Sequence, residues 1–372
     1  MKKIKVLLLC PYAKNRQGRA GGIGSWARKF VATFPDEEFE LLPVNLAPEL
    51  FFVNFKRWDR EKQGIKTMLR LYRDIKATFR EHPDIRLMHT TTSGGMGCVR
   101  DYVALRMCKR HGVGCIMHCR FGTIMEFYEK KSLFSWLFRK NMQLYDQVWV
   151  LDRRSEAFLN SQPKLKNKIF LTPNSIDVPT GITILPKSYK KIGFVGNLFE
   201  TKGVLDLTKA VSTMNNDTEL FIAGTGSEDV KERIKTIAGK NLGNRIKLLG
   251  ILPNDEAVRL IEQLDIIALP TYYKGEAFPI SILEAMSRGK LVISCHRAAI
   301  PDMLTALDGT TCGVLVPERS PEALFEAIMW CQTHKKKADE MCKKAYEKVW
   351  QCYRKEVVYD IYRLNYRKLL QS

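Results

Sequence analysis

The sequence predicts an α/β protein built from two Rossmann-like domains, each a parallel sheet with helices on both faces. Three observations predict it. Short apolar runs, many of them β-branched, alternate with segments of helical period along the whole chain. The alternation forms two blocks, divided by an irregular stretch that carries Gly181 and Pro186. The chain has 372 residues, 45% hydrophobic and 27% charged, too long for one ordinary domain and apolar enough for two cores.

In the first block the expected strands are 4–10, 41–44, 85–89, 114–118, 147–151 and 169–171. In the second they are 191–195, 219–223, 246–249, 266–269, 291–294 and 313–316. Helical periodicity marks 64–80, 255–264, 280–288 and 320–331, and a long basic helix is expected over 335–370. Thr172-Pro173-Asn174-Ser175-Ile176-Asp177 ends the first block. The expected division is a first domain over 1–178, a linker over 179–190 and a second domain over 191–352. The last helix, about 353–372, is free to pack back on the first domain. No repeat or low-complexity tract interrupts this order.

Sixty Lys and Arg stand against 40 Asp and Glu, a formal charge of +20. Residues 1–180 hold 32 basic and 17 acidic side chains, net +15, and the remainder only +5. Such an excess asks for nucleic acid, an anionic membrane face or phosphorylated ligands. No apolar run reaches the ~18–20 residues that span a bilayer. The basic start Lys2-Lys3-Ile4-Lys5 precedes a run too short for a leader and without a small-residue cleavage site, so it reads as a buried strand. Ten scattered cysteines without CxxC or Cys/His metal spacing point to a reduced, cytoplasmic chain.

The stretch richest in chemistry is Gly275-Glu276-Ala277-Phe278-Pro279-Ile280-Ser281-Ile282-Leu283-Glu284-Ala285-Met286. It follows a strand and opens a helix near Pro279 or Ile280, where proline is tolerated. Free N–H groups at a helix start beside a strand end attract an anion. Glu276 and Glu284 bracket that start. Two carboxylates around a phosphate site suit a ligand with hydroxyls on both sides of the phosphate, as in a nucleotide sugar.

These residues resemble the signature of glycosyltransferase family 4, which has the GT-B fold of two Rossmann-like domains facing across a cleft. The likeness rests on the Glu-x7-Glu spacing, the Phe-Pro after the first Glu and the Leu-Glu-Ala-Met run. It extends to Phe194-Val195-Gly196-Asn197-Leu198-Phe199-Glu200-Thr201-Lys202-Gly203, to Phe221-Ile222-Ala223-Gly224-Thr225-Gly226, to Leu249-Gly250-Ile251-Leu252 and to Gly313-Val314-Leu315-Val316-Pro317. In the first half it is thinner: Gly21-Gly22-Ile23-Gly24, His118, and Pro173-Asn174-Ser175-Ile176-Asp177.

The resemblance implies a retaining, hexosyltransferase-type enzyme that takes a sugar from a UDP- or GDP-linked donor. Glu276 would meet the sugar hydroxyls, Glu284 the ribose and Lys202 the diphosphate. Ala277, Phe278 and Ile280 would line the cradle, with Pro279 unable to donate. Gly224 would shape a turn of the donor site, and Ile251 and Leu252 would border the base. Gly22 would admit the diphosphate from the first domain, and His118 would face the reacting sugar. Asn197 departs from the pattern, since the family usually has Arg there; a catalytically weak or inactive sugar-nucleotide binder is the alternative reading. A Lys and a helix start can stabilise the leaving diphosphate. With no convincing Asp-x-Asp motif, no metal or other cofactor is expected.

By family analogy the first domain takes the acceptor, and it holds the +15. Residues 51–62 and 127–140 mix aromatic with basic side chains, and Lys66, Arg70, Arg73, Lys76 and Arg80 follow the first of them. That mixture suits an interface over anionic lipid. The expectation is a protein peripheral on the inner membrane face that extends a lipid-linked glycan in polysaccharide or glycolipid biosynthesis. Nucleic acid is disfavoured, because no nucleic-acid-binding motif is visible and the basic residues are dispersed.

Overall fold

The computed structural model describes residues 2–12, 22–34, 36–46, 57–179 and 185–371, with backbone alone over 57–65. Twelve strands fall in two six-stranded sheets among these residues. The first holds β1 (Ile4–Cys10), β2 (Phe39–Asn45), β3 (Ile85–Thr92), β4 (Gly114–Cys119), β5 (Gln147–Val150) and β6 (Ile169–Leu171), in the order β2-β1-β3-β4-β5-β6. The second holds β7 (Lys191–Val195), β8 (Glu219–Ala223), β9 (Ile246–Gly250), β10 (Ile266–Leu269), β11 (Leu291–Cys295) and β12 (Val314–Val316), in the order β12-β11-β10-β7-β8-β9. Every pairing within the two sheets is parallel. Parallel strands covered on both faces read as continuous apolar runs. The central strands obey this: Val6–Cys10, Ile266–Leu269 and Leu291–Cys295 are buried throughout.

The expected strands are all present. The fold class is therefore as read from the sequence, two Rossmann-like α/β domains. The contacts divide the chain into one unit of Met1–Thr172 with Tyr359–Ser372, and a second of Pro173–Val358. The expected helix over 335–370 is two helices, Lys335–Lys348 and Lys355–Gln371, joined by a π-turn over Val349–Tyr353. The reason is a backbone exchange. Ile176 N donates to Tyr353 O at 2.9 Å, and Lys355 N donates to Ile176 O at 3.0 Å. An extended Arg354 is required for that bridge, so the helix stops and restarts.

The helix Arg57–Glu81 packs Leu71, Ile75 and Phe79 on the first core at four-residue spacing. Its other face exposes Lys66, Leu69, Tyr72, Arg73, Lys76 and Arg80. The segment 127–140 divides in the same manner. Phe127, Tyr128, Leu137 and Phe138 belong to the core, whereas Leu133 and Trp136 are 73% and 55% exposed. Its aromatics are thus mainly structural, and two apolar side chains remain on the surface. Residues 51–56 of the other aromatic-basic segment lie outside the described residues. No helix among the described residues is long and apolar enough to cross a membrane.

Candidate active site

Open parallel sheets bind ligands beyond the carboxyl ends of their strands, at the point where the strand order reverses. In the second sheet that point lies between β7 and β10, neighbours in space but far apart in sequence. The loops after these two strands carry Lys202 and Glu276. The topology brings them together: Lys202 Nζ donates to Glu276 Oε2 at 2.5 Å. Their side chains are 17% and 8% exposed, so the pair is largely withdrawn from water.

Backbone contacts fix this junction. Tyr272 N donates to Thr201 O at 2.8 Å, tying one loop to the other. Residues Glu200–Lys202 form a single 3-10 turn, closed by Gly203 at φ 77°. A β-carbon on Gly203 would lie 2.2 Å from the Pro270 carbonyl oxygen, so only glycine lets the turn sit on the other loop. Gly224, at φ 148°, does the same one strand over: a β-carbon would lie 1.7 Å from Gly196 O. Gly224 is thus a shaping residue of the turn beside Asn197.

Asn197 is exposed, and its carbonyl accepts from Phe199 N at 2.9 Å. Phe199 and Tyr273 are partly exposed aromatics with ring centroids 5.9 Å apart, and Lys202 Nζ lies 5.4 Å from the Tyr273 ring. Pro279 caps the seven-residue helix Ile280–Met286. Glu276 and Phe278 are buried, while Ala277, Ile280 and Glu284 are half-buried. Two bonds hold this loop: Ala299 N donates to Ala277 O at 3.1 Å, and Asn174 Nδ2 donates to Phe278 O at 2.8 Å. Asn174 stands in the Pro-Asn-Ser-Ile-Asp run read from the sequence, but its partner lies 104 positions on, beyond any local signal. Ile251 is 73% exposed and follows Gly250, which is at φ 73°; Leu252 is half-buried.

Gly22 and His118 belong to the first unit. Gly22 is exposed and opens the helix Gly22–Thr33, which carries Trp26. His118 stands near the end of β4 and is fully buried. Its Nδ1 is 3.1 Å from His89 Nε2, and its Nε2 is 3.2 Å from an Arg120 terminal nitrogen. Trp26 lies edge-on to it at 5.4 Å. The structure thus places His118 within a packed polar network rather than on an open surface. The sequence did not single out His89 or Arg120; the fold alone brings His89 to His118, whereas Arg120 stands two residues after it in the chain.

No group of three or more His, Cys, Asp or Glu arranged to hold a metal ion occurs among the described residues. All ten cysteines are free thiols.

Comparison with known proteins agrees with the architecture. Residues 181–348 match the family Glycosyl transferases group 1. An uncharacterised glycosyltransferase of Methanocaldococcus jannaschii is 31% identical over 147 residues, 38% of this chain and 36% of that protein. The amylovoran biosynthesis glycosyltransferase AmsK of Erwinia amylovora is 29% identical over 143 residues, 36% of this chain and 34% of that protein. The matches thus span about a third of either relative's length. Among solved structures, sucrose-phosphate synthase from Thermosynechococcus elongatus superposes with a TM-score of 0.74 at 17% identity, covering 99% of this chain and 100% of that one. Anabaena HepE in complex with UDP gives 0.67 at 14% identity, covering 99% and 100%. The chain therefore has the GT-B architecture of two Rossmann-like domains, and its residues 181–348 match the group 1 glycosyl transferases.

Proposed function

We propose that the protein is a retaining glycosyltransferase that moves a hexose from a nucleoside diphosphate sugar to a hydroxyl of a lipid-linked glycan. The observation that carries this reading is the Lys202–Glu276 pair, enclosed at the strand-order reversal of the second sheet. An ammonium and a carboxylate held at one point suit a ligand that is anionic on one side and hydroxyl-rich on the other. Lys202 then offsets the negative charge that grows on the leaving diphosphate. Glu276 accepts from the sugar hydroxyls, and Glu284, one turn into the next helix, from the ribose. A UDP or GDP donor and metal-independent chemistry are parts of the reading. So is a role in polysaccharide or glycolipid assembly, which the amylovoran relative supports by analogy.

A donor screen by mass spectrometry, run with magnesium and with chelator, tests the activity. Transfer from one nucleotide sugar in both conditions is expected, and strict metal dependence would contradict the mechanism. Loss of transfer in Glu276→Ala and Lys202→Ala with the fold intact separates an enzyme from a sugar-nucleotide binder. The exposed Asn197, where the resemblance leads one to expect Arg, favours the binder as the second reading.

The same reading includes cytoplasmic residence and peripheral docking on an anionic membrane through the first unit. Support comes from exposed Leu133 and Trp136 beside Lys130, Lys131 and Lys140, and from the Lys66, Leu69, Tyr72, Arg73, Lys76, Arg80 face. Flotation with anionic vesicles should show association at low salt that weakens at high salt. No association at low salt would end this part of the proposal.

A further inference from the structure

The polar network of the first unit has a direction that its geometry dictates. His89 on β3 and His118 on β4 lie on the sheet face that receives Trp26 and Phe30 from one helix and Tyr362 and Tyr366 from another. Four groups are linked in series. Arg120 reaches His118 Nε2 at 3.2 Å, His118 Nδ1 faces His89 Nε2 at 3.1 Å, and His89 Nδ1 faces the Tyr366 hydroxyl at 2.7 Å. Arginine can only donate. His118 Nε2 must therefore accept, so the His118 proton resides on Nδ1. That proton is donated to His89 Nε2, which places the His89 proton on Nδ1, donated in turn to the Tyr366 oxygen.

Both imidazoles are then neutral, and burial keeps them so. Desolvation, followed by the charge of Arg120, pushes His89 down to about 3 and His118 in the same direction. Desolvation also lowers Arg120, to about 10, which leaves it cationic at neutral pH. The neighbours of the guanidinium include His118 at one terminal nitrogen, the Trp26 ring, 3.8 Å from its central carbon, and the Tyr362 hydroxyl. Arg120 follows directly on β4, at the carboxyl end of the parallel sheet where this architecture takes ligands, and it retains 6% of its surface exposed.

We propose that Arg120 is a phosphate-contacting residue of the first unit, and that His118 and His89 are its positioning residues rather than an acid or a base. The proposal rests on the glycosyltransferase reading for the source of the phosphate, donor or acceptor, but its first test needs no turnover. The protein carries six histidines, which can be labelled with 15N and followed by long-range proton–nitrogen spectra. His89 and His118 should both appear as neutral Nδ1–H tautomers that do not titrate between about pH 5 and pH 8. Millimolar inorganic pyrophosphate should shift the His118 Nε2 resonance. Arg120→Gln should abolish that shift and Arg120→Lys should weaken it. The His89 tautomer reports folding in each variant. An Nε2–H tautomer at His118, titration of His118 near neutrality, or no response to pyrophosphate overturns the proposal. Once a donor and an acceptor are known, Arg120→Gln should raise KM about tenfold for whichever of them supplies the phosphate, with no imidazole limb in the wild-type pH profile. Unchanged constants for both substrates would also overturn it.

Discussion

The Lys202–Glu276 pair makes an unusual demand on its ligand, because each partner is already occupied by the other. A diphosphate must draw the ammonium away from the carboxylate or share it. Glu276→Gln removes the carboxylate's charge and keeps its shape. Exposed pairs contribute about 0–1 kcal/mol, while breaking a sealed pair costs about 3–5 kcal/mol. With side chains 17% and 8% exposed, this pair lies between the two. The expected cost of Glu276→Gln is therefore about 2 kcal/mol of unfolding free energy, read by urea titration. The double variant with Lys202→Met should recover much of that loss, giving a coupling of about 2 kcal/mol. Nucleoside diphosphates without a sugar sharpen the test. Losing its competitor should free Lys202, so Glu276→Gln should bind UDP or GDP as well as the wild type or up to about tenfold more tightly, a gain of at most about 1.4 kcal/mol. Lys202→Met should weaken the same ligand about tenfold or more. A coupling below about 0.5 kcal/mol, or equal weakening of nucleotide binding by both variants, would refute the argument.

Three further outcomes follow from the same geometry. Gly203→Ala should cost at least about 2 kcal/mol, because φ is 77° and the new β-carbon would meet the Pro270 carbonyl; nucleotide-induced thermal shifts should vanish with it. Glu284→Ala should weaken nucleotide binding about tenfold with little loss of stability, checked by calorimetry against the 2′-deoxynucleotide, which should be less affected. For His89 the folded pKa, about 3, lies below the unfolded value near 6.5, so its contribution is complete above pH 6.5 and falls as pH drops through that window. At about pH 5 the loss should be about 2 kcal/mol relative to a His89→Gln variant, measured by denaturant unfolding; identical pH dependence in both proteins would exclude a buried neutral imidazole.

Much of this molecule is legible in its amino-acid sequence. Strands such as β7 and β10 were readable because a parallel strand buried on both faces is an apolar run with sharp ends. The position of the Glu276 loop was readable because an apolar strand ends ahead of it and an apolar helix begins after it. The segment 127–140 was legible only in part. Aromatic and basic residues interleave there at helical spacing, and composition does not say which face the core takes. Phe138 is buried and Trp136 exposed, two positions apart, because the helix Leu133–Leu144 turns them to opposite sides.

The sequence by itself determined the two α/β blocks, the identity of the residues around the second strand-order reversal and the concentration of positive charge in the first half. These are local properties, set by period, turn chemistry and composition. Only the tertiary structure decided that Lys202 pairs with Glu276 across 74 positions, that Asn174 holds the Phe278 carbonyl, and that His118 is threaded between His89 and Arg120. Apart from His118–Arg120, two residues apart, those contacts join elements distant in sequence, and their register depends on how crossover connections pack against a sheet. No pattern along one strand or helix encodes that geometry, so the partners of a charged or polar side chain appear only when the chain is folded.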